Sequence, residues 1–253
     1  MMDLQLHESG SSAVIQRLNA LGPLTEGGAA ALEGALRERV RRRSAREDLA
    51  QEGDRPDGLR VVLSGWANRY KTLEDGRRQV VNLLLPGDTC DYGFHLLHEM
   101  DHSIAALTAL SYAELSRESL EQLTSAHPSL AQALWRETLV TASIQREWTV
   151  NLGQRIAYER VAHLLCEVFL RLRTVGLTNG TTCAFPLTQA DMADATGLSV
   201  VHVNRTVQEL RAAGLIVLRD KSLTVNDLQA LQDAALFNPN YLHLDPPRLA
   251  GRR

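Results

Sequence analysis

Residues 187–217 constrain the fold more than any other stretch of this chain. Thr188 can cap a helix, with Asp191 three residues later near its positive end. Met192 and Ala193 fall on the inward side of that helix, and Gly197 supplies a turn that few other residues tolerate. Ser199 caps a second helix, Ser199–Ala213, whose apolar stripe is read as Val200, Val203, Val207 and Leu210. The opposite face carries His202, Arg205, Gln208 and Glu209. Gly214 stops the helix, and Leu215–Arg219 and Leu223–Val225 make two short strands turning at Asp220-Lys221-Ser222. The pattern predicts a winged helix-turn-helix whose second helix is shaped for the DNA major groove. Two helices and a hairpin also occur in domains that never touch nucleic acid. The turn glycine, the capped second helix, the polar outer face with arginine and the wing, taken together, favour DNA.

Charge permits this reading without proving it. The net charge is −3, but residues 1–152 hold 16 Lys+Arg against 21 Asp+Glu, whereas residues 153–253 hold 11 against 9. The basic excess is so slight that affinity for DNA must come from paired copies and locally placed arginines. No apolar run reaches transmembrane length and no secretory leader pattern is evident, so a cytoplasmic protein with no membrane partner is expected. Cys90, Cys166 and Cys183 are scattered without a CxxC, which argues against a zinc site or a disulfide framework.

The rest of the chain divides by periodicity. Residues 1–24 are read as an extension with a short helix at Ser12–Leu21. Residues 25–118 form a sensor domain: a helix through Glu26–Leu36, then short alternating runs at Leu59–Gly65, Trp66–Leu73, Val80–Leu85, Ser103–Leu110 and Tyr112–Ser116. Such evenly spaced strands suggest a β-roll or jelly roll. Residues 119–152 read as one long helix, in which Leu130, Leu134, Thr141, Ile144, Trp148 and Leu152 follow a heptad rhythm. That seam suggests two such helices in a homodimer, though a helix lying on its own β-domain gives the same pattern. Residues 153–237 carry the winged helix-turn-helix after a break near Asn151–Gly153, and 238–253 read as a flexible tail. The class is α+β.

The order β-roll, long helix, winged helix-turn-helix resembles the CRP/FNR superfamily of transcription regulators. Gly65, the Asp75-Gly76 hairpin, the Leu85-Pro86-Gly87-Asp88 corner and Leu187–Val217 carry the resemblance, over about residues 25–235. It implies a cyclic-nucleotide-binding-like sensor, a dimer on double-stranded palindromic DNA, and RNA polymerase as a partner. It also implies a half-site containing TGA, with Arg205 in the place of the arginine that contacts guanine. Independently of the resemblance, a planar guanidinium can donate two hydrogen bonds to guanine O6 and N7, worth about 1–3 kcal/mol of discrimination. The alternative for Arg205 is a phosphate contact or an ion pair with Glu209. Val200 and Val201 depart from the family's polar readers and can only pack on a thymine methyl. Thr188, Ser199, His202, Asn204 and Gln208 complete the candidate DNA contacts.

The sensor lacks the motifs of two branches of that family. Where the resemblance places a ribose-binding glutamate and a phosphate-binding arginine stand Asp91-Tyr92-Gly93 and His102-Ser103-Ile104, so cyclic AMP is disfavoured. No cysteine precedes Cys90, which disfavours an N-terminal iron–sulfur cluster. Cys90, Asp91, Tyr92, His102 and Ser103 remain as effector-pocket candidates, and no cofactor is identified. His95, His98 and His102 would share one face of a helix and, with Glu99, are weak metal candidates; a solvated acidic loop is the favoured reading. Two other functions stay open: a metal-dependent cupin-like enzyme on those histidines, and an adaptor whose helix-turn-helix no longer binds DNA. No nucleophile–base pair or phosphate-cradling loop supports catalysis.

Overall fold

The computed structural model describes residues 2–55, 58–90 and 97–244, with the backbone alone for 2–9. Two helices come first, α1 (Met2–Leu21) and α2 (Glu26–Glu38, capped by Thr25). The N-terminal segment is therefore helical well beyond the short helix expected. Ala13, Val14, Leu18 and Leu21 are buried. Gly10 lets α1 lie flat on the sheet, because a Cβ there would sit 2.8 Å from the Leu63 carbonyl.

Among the described residues seven strands follow: β1 (Val40–Arg43), β2 (Asp48–Ala50), β3 (Gly58–Ser64), β4 (Ala67–Thr72), β5 (Arg78–Leu84), β6 (Ser103–Ala106) and β7 (Leu110–Ser116). They form two antiparallel sheets, ordered β1-β7-β3 and β2-β6-β4-β5. Val62, Leu110 and Tyr112 of one sheet and Ala67, Leu84, Ile104 and Ala106 of the other pack with Cys90 and Met100 into a shared core. β1 and β2 were not evident from the sequence; an Arg-rich edge strand has no apolar alternation to detect.

The predicted single long helix is two, α3 (Arg117–Ala126) and α4 (Pro128–Gln154), because Pro128 opens a new helix at its first position. α5 (Ala157–Thr174) begins after Arg155 and Ile156, so the break lies slightly later than expected. Beyond it come β8 (Thr178–Asn179), β9 (Thr182–Ala184), α6 (Gln189–Thr196), α7 (Val200–Ala212), β10 (Ile216–Arg219), β11 (Ser222–Val225) and α8 (Leu228–Ala234). The wing is a four-stranded sheet, β10-β11-β9-β8. One apolar core runs without interruption from Trp66, Val80, Leu83 and Leu107 of the roll through Val140, Ile144 and Trp148 of α4 to α5 and the helix-turn-helix.

A buried polar joint reinforces that contact. Arg171 of α5 donates to Asp88 Oδ2 at 2.6 Å, to the Leu83 carbonyl at 2.9 Å and to Glu167 Oε1 at 3.1 Å. Asp88, at the Pro-Gly-Asp corner, also accepts the Leu85 N–H at 2.7 Å. The segment after Asn238, expected to be mobile, instead makes a 3₁₀ turn at Pro239–Leu242 with Tyr241 and Leu242 buried. The Pro246, Pro247 and Arg252-Arg253 portion of that expectation lies outside the described residues.

Candidate nucleic-acid interface

Local chemistry builds the helix-turn-helix. The Asp191 N–H donates to Thr188 Oγ1 at 3.1 Å, and Asp191 Oδ2 accepts the Thr188 N–H at 2.8 Å, a reciprocal cap that fixes the start of α6. The Thr188 hydroxyl donates to the same carboxylate at 2.7 Å. Gly197 ends α6 in the left-handed region (φ 63°), where other residues carry a steric penalty. Ser199 Oγ then accepts the His202 N–H at 3.2 Å and caps α7.

On α7, Val203, Thr206, Val207 and Leu210 are buried, and the recognition face is left bare: Val200, Val201, His202, Asn204, Arg205 and Gln208 are all exposed. Val200 is thus corrected from the inner stripe to the outer face, with Thr206 taking the inward position. Val201 is 80% and Val200 46% exposed, so two adjacent apolar side chains open this face. Arg205 Nε lies 3.5 Å from Glu209 Oε1, both side chains being largely exposed. Such a pair is worth about 0.3–0.5 kcal/mol, too little to keep the guanidinium from a base edge. The wing turns through Asp220 and Lys221 with positive φ (51° and 56°), the geometry of a tight hairpin, and places exposed Arg219 and Lys221 near its tip. The sequence had marked that turn without assigning these cations a role.

Contacts that the sequence did not reveal hold this unit against the roll. Arg46, in the β1–β2 turn at φ 73°, donates from Nη1 and Nη2 to Asp191 Oδ1 and Oδ2 at 2.5 and 2.9 Å. Burial pushes the Asp191 carboxyl up, but Arg46 and Thr188 outweigh it and hold the group below its ordinary range. Gln79 of β5 donates to the Asp194 carbonyl at 2.7 Å; away from the roll, Arg160 of α5 donates to the Thr196 carbonyl at 2.9 Å and ties α6 to α5.

In the roll, Cys90 is fully buried and its carbonyl accepts from Arg69 Nε at 2.9 Å; Arg69 Nη2 donates to the Thr89 carbonyl at 3.1 Å. His102 is buried with Nδ1 2.6 Å from Asp101 Oδ1, and burial lowers its pKa. Ser103 Oγ accepts the Glu52 N–H at 3.0 Å. Asp91, Tyr92 and His95 lie outside the described residues. Residues 97–99 are bends and β6 begins at Ser103, so His98 and His102 do not share a helical face; His98 is exposed where His102 is buried. Among the described residues no group of three metal-binding side chains forms. Among the described residues of this part of the roll, Arg69 is engaged by the Cys90 and Thr89 carbonyls and His102 by Asp101.

The expected dimer seam is also corrected. Leu130, Leu134, Ile144 and Trp148 are buried inside their own chain, the first two against α1–α3 and the roll, the last two against α5. Thr141 is half-buried. The heptad spacing recurs on the neighbouring face, where Gln132, Trp135, Leu139, Ala142, Arg146 and Thr149 are exposed. Trp135 and Leu139 show 63% and 60% of their surface.

Comparison with known proteins follows this division of the chain. Residues 40–127 match the model of the cyclic nucleotide-binding domain, and 159–234 that of the Crp-like helix-turn-helix domain. Over 195 residues the chain is 34% identical to the transcriptional activator protein FnrL of Cereibacter sphaeroides, covering 76% of this chain and 78% of that protein. It is 30% identical to the nitrogen fixation regulation protein FixK of Bradyrhizobium diazoefficiens, over 73% of this chain and 76% of that protein. The structure of FixK2 from Bradyrhizobium japonicum superposes with a TM-score of 0.68 at 25% identity, over 77% of this chain and 96% of that chain. With the roll, the capped helix-turn-helix and its bare recognition face already in place, these likenesses mean that the chain belongs to the CRP/FNR family of transcriptional regulators.

Proposed function

We propose that the protein acts as a homodimer that reads a palindromic duplex with one α7 in each of two successive major grooves, as a regulator and not as an enzyme. The observation that carries this is the outer face of α7: six side chains stand bare on a helix whose other side is locked into the core. Arg205 donates to guanine, Val200 and Val201 pack on thymine methyls, and His202, Asn204 and Gln208 take the neighbouring edges or phosphates. Ser199 and Thr188 sit at helix starts suited to phosphate. The second copy docks along Trp135, Leu139, Ala142 and Thr149, a stripe at coiled-coil spacing on a 27-residue helix.

Activity in the cytoplasm and a second contact, with RNA polymerase, fit a chain that resembles a transcriptional activator; no helix among the described residues is long and apolar enough to cross a membrane. The effector, where one acts, is other than cyclic AMP and needs no iron–sulfur cluster. Selection of bound duplexes from a random pool tests the reading. The native chain should enrich a palindrome with half-sites about one helical turn apart. Arg205→Ala should lose roughly tenfold or more in preference for the guanine it faces. No enrichment by the native chain, or an unchanged preference in the variant, would refute it.

A further inference from the structure

The match to the family's helix-turn-helix domain ends at residue 234, yet the chain beyond it is anchored at several points. From the end of α8 it doubles back across the joint between α4 and α5. Arg155, the residue that closes α4, donates from Nε to the Ala235 carbonyl and from Nη2 to the Leu236 carbonyl, both at 3.1 Å. Its Nη2 also meets Glu147 Oε1 of α4 at 2.6 Å, and the guanidinium-bearing side chain is only 9% exposed. Phe237 packs on the His163 ring of α5 at 4.9 Å, and the Tyr241 ring stacks on the same imidazole at 5.8 Å.

The Tyr241 hydroxyl donates to Glu167 Oε2 at 2.8 Å, and that carboxylate also accepts from Trp148 Nε1 of α4 at 3.0 Å. Leu242 is completely buried. Leu236 and His243, at either end of the segment, are both left-handed (φ 48° and 47°). Non-glycine residues keep that conformation only where their surroundings over-determine it. Thus one short segment touches the last turns of α4, the residue between the helices and the buried side of α5.

We propose that residues 235–244 are a strap that fixes the angle of the winged helix on α4, and hence the spacing between the two recognition helices, with Tyr241 as its positioning residue. The inference rests on the palindrome-binding reading for its consequence on DNA, but not for the strap itself. In a dimer joined through α4, the second half-site is gained as an intramolecular event only when both α7 helices are presented at the right separation. A winged unit free to swing about Arg155–Ile156 would accept many separations and favour none.

The test compares four proteins with the native chain: one ended after Leu244, one ended after Ala234, Tyr241→Ala and Tyr241→Phe. Each is measured on the selected palindrome, on palindromes with one or two base pairs added to or removed from the spacer, and on a single half-site. The native chain and the Leu244-ended chain should discriminate spacers alike. Loss of the strap or of the Tyr241 ring should leave single half-site affinity within about twofold while spacer discrimination falls roughly tenfold or more. Tyr241→Phe keeps the ring stack and should retain most of the discrimination. Trypsin cleavage after Arg155, read without DNA, should accelerate about tenfold in the strapless chain and in Tyr241→Ala. Unchanged cleavage would overturn the strap whatever the DNA result. Equal losses on half-site and palindrome would reduce it to general stability and overturn the positioning role. If the Ala234-ended chain fails to fold, Tyr241→Ala carries the same comparison. A native chain without spacer preference, but with protected Arg155, would instead sink the palindrome reading.

Discussion

Replacing Arg46 by alanine removes the strongest polar tie between the roll and α6. The pair is bidentate, with donor–acceptor distances of 2.5 and 2.9 Å. Charge-assisted hydrogen bonds contribute about 1.5–3 kcal/mol each in sheltered settings. The Arg46 side chain is 50% exposed, so solvent screens its half of the pair; the net contribution is about 1–2 kcal/mol. Asp191 itself is only 7% exposed on its side chain, yet it keeps the Thr188 amide and hydroxyl as partners. That residual solvation holds the loss below the roughly 3–5 kcal/mol expected when a buried charge is stranded. For a chain of this size the melting temperature should fall by about 2–8 °C.

Differential scanning calorimetry of wild type, Arg46→Ala and Arg46→Lys would measure it. Lysine offers one point charge in place of a fork and should recover part of the loss. Two dependences separate this tie from general destabilisation. The difference between wild type and Arg46→Ala should shrink in high salt, because the arginine is half in water. It should shrink again on acidification. Asp191 is held below its ordinary range, so its contribution is complete above the unfolded value near 3.8 and drains away as pH falls through the lower folded value. A variant that melts within about 1 °C of wild type, with the same salt dependence, would refute the argument.

Three other expectations follow from the structure. If the proposed dimer docks through α4, Leu139→Glu should give a folded monomer in sedimentation, since the side chain lies on the exposed stripe of α4; a stable dimer in the variant would move the interface elsewhere. Glu147 is held at about 2 by His163 first and Arg155 next, against burial. Its stabilisation is whole above the unfolded value near 4.5 and is lost as pH drops toward 2, so Glu147→Gln should flatten the acid limb of stability against pH, and an unaltered limb would contradict the assignment. Burial raises the thiols of Cys166 and Cys183 to about 12 and 11. Neither should react with a thiol reagent at pH 8 until the chain unfolds, and stoichiometric labelling of either in the native protein would show that its surroundings are open.

What could be read directly from the chain is what nearby residues decide. The caps at Thr188 and Ser199, the turn at Gly197 and the inward Val203, Val207 and Leu210 are all local, and α6 and α7 form where those signals stand. α4 shows the limit of periodicity. Its sequence has heptad order on two adjacent faces, and nothing local says which face its own domain covers. The roll, α1 and α5 take Leu130, Leu134, Ile144 and Trp148, which leaves Trp135 and Leu139 bare. Arg46 and Asp191 stand 145 residues apart, a separation that no motif spans. β1 pairs Val40–Arg43 with Leu110–Ala113 in an antiparallel ladder, and its run of arginines carries no strand signal of its own. The C-terminal segment read as loop because of its prolines and polar residues, although Phe237, Tyr241 and Leu242 already offered the apolar surface that docks it.

The strength of each tie decides which part of the DNA-binding unit moves as one piece with the roll. At the far end of α5, Arg171, Asp88 and Glu167 have side chains less than 10% exposed. Parting them would leave charges in an apolar core, at a cost of about 3–5 kcal/mol for each broken pair. The C-terminal half of α5 is therefore continuous with the roll. At α6 the polar ties to the roll are a half-exposed arginine and a glutamine on a carbonyl, about 1–2 kcal/mol for the first and roughly 1 kcal/mol for the second. A signal acting on the roll has only its differential affinity to spend, typically 1–3 kcal/mol. That matches the polar ties at α6 and is too little to part the buried charges at the end of α5. Arg46 follows directly on this point: its backbone N–H donates to the Ala106 carbonyl at the end of β6, the strand that begins beside buried His102. A shift of β6 thus reaches Arg46, and through it the start of α6, through one turn of chain.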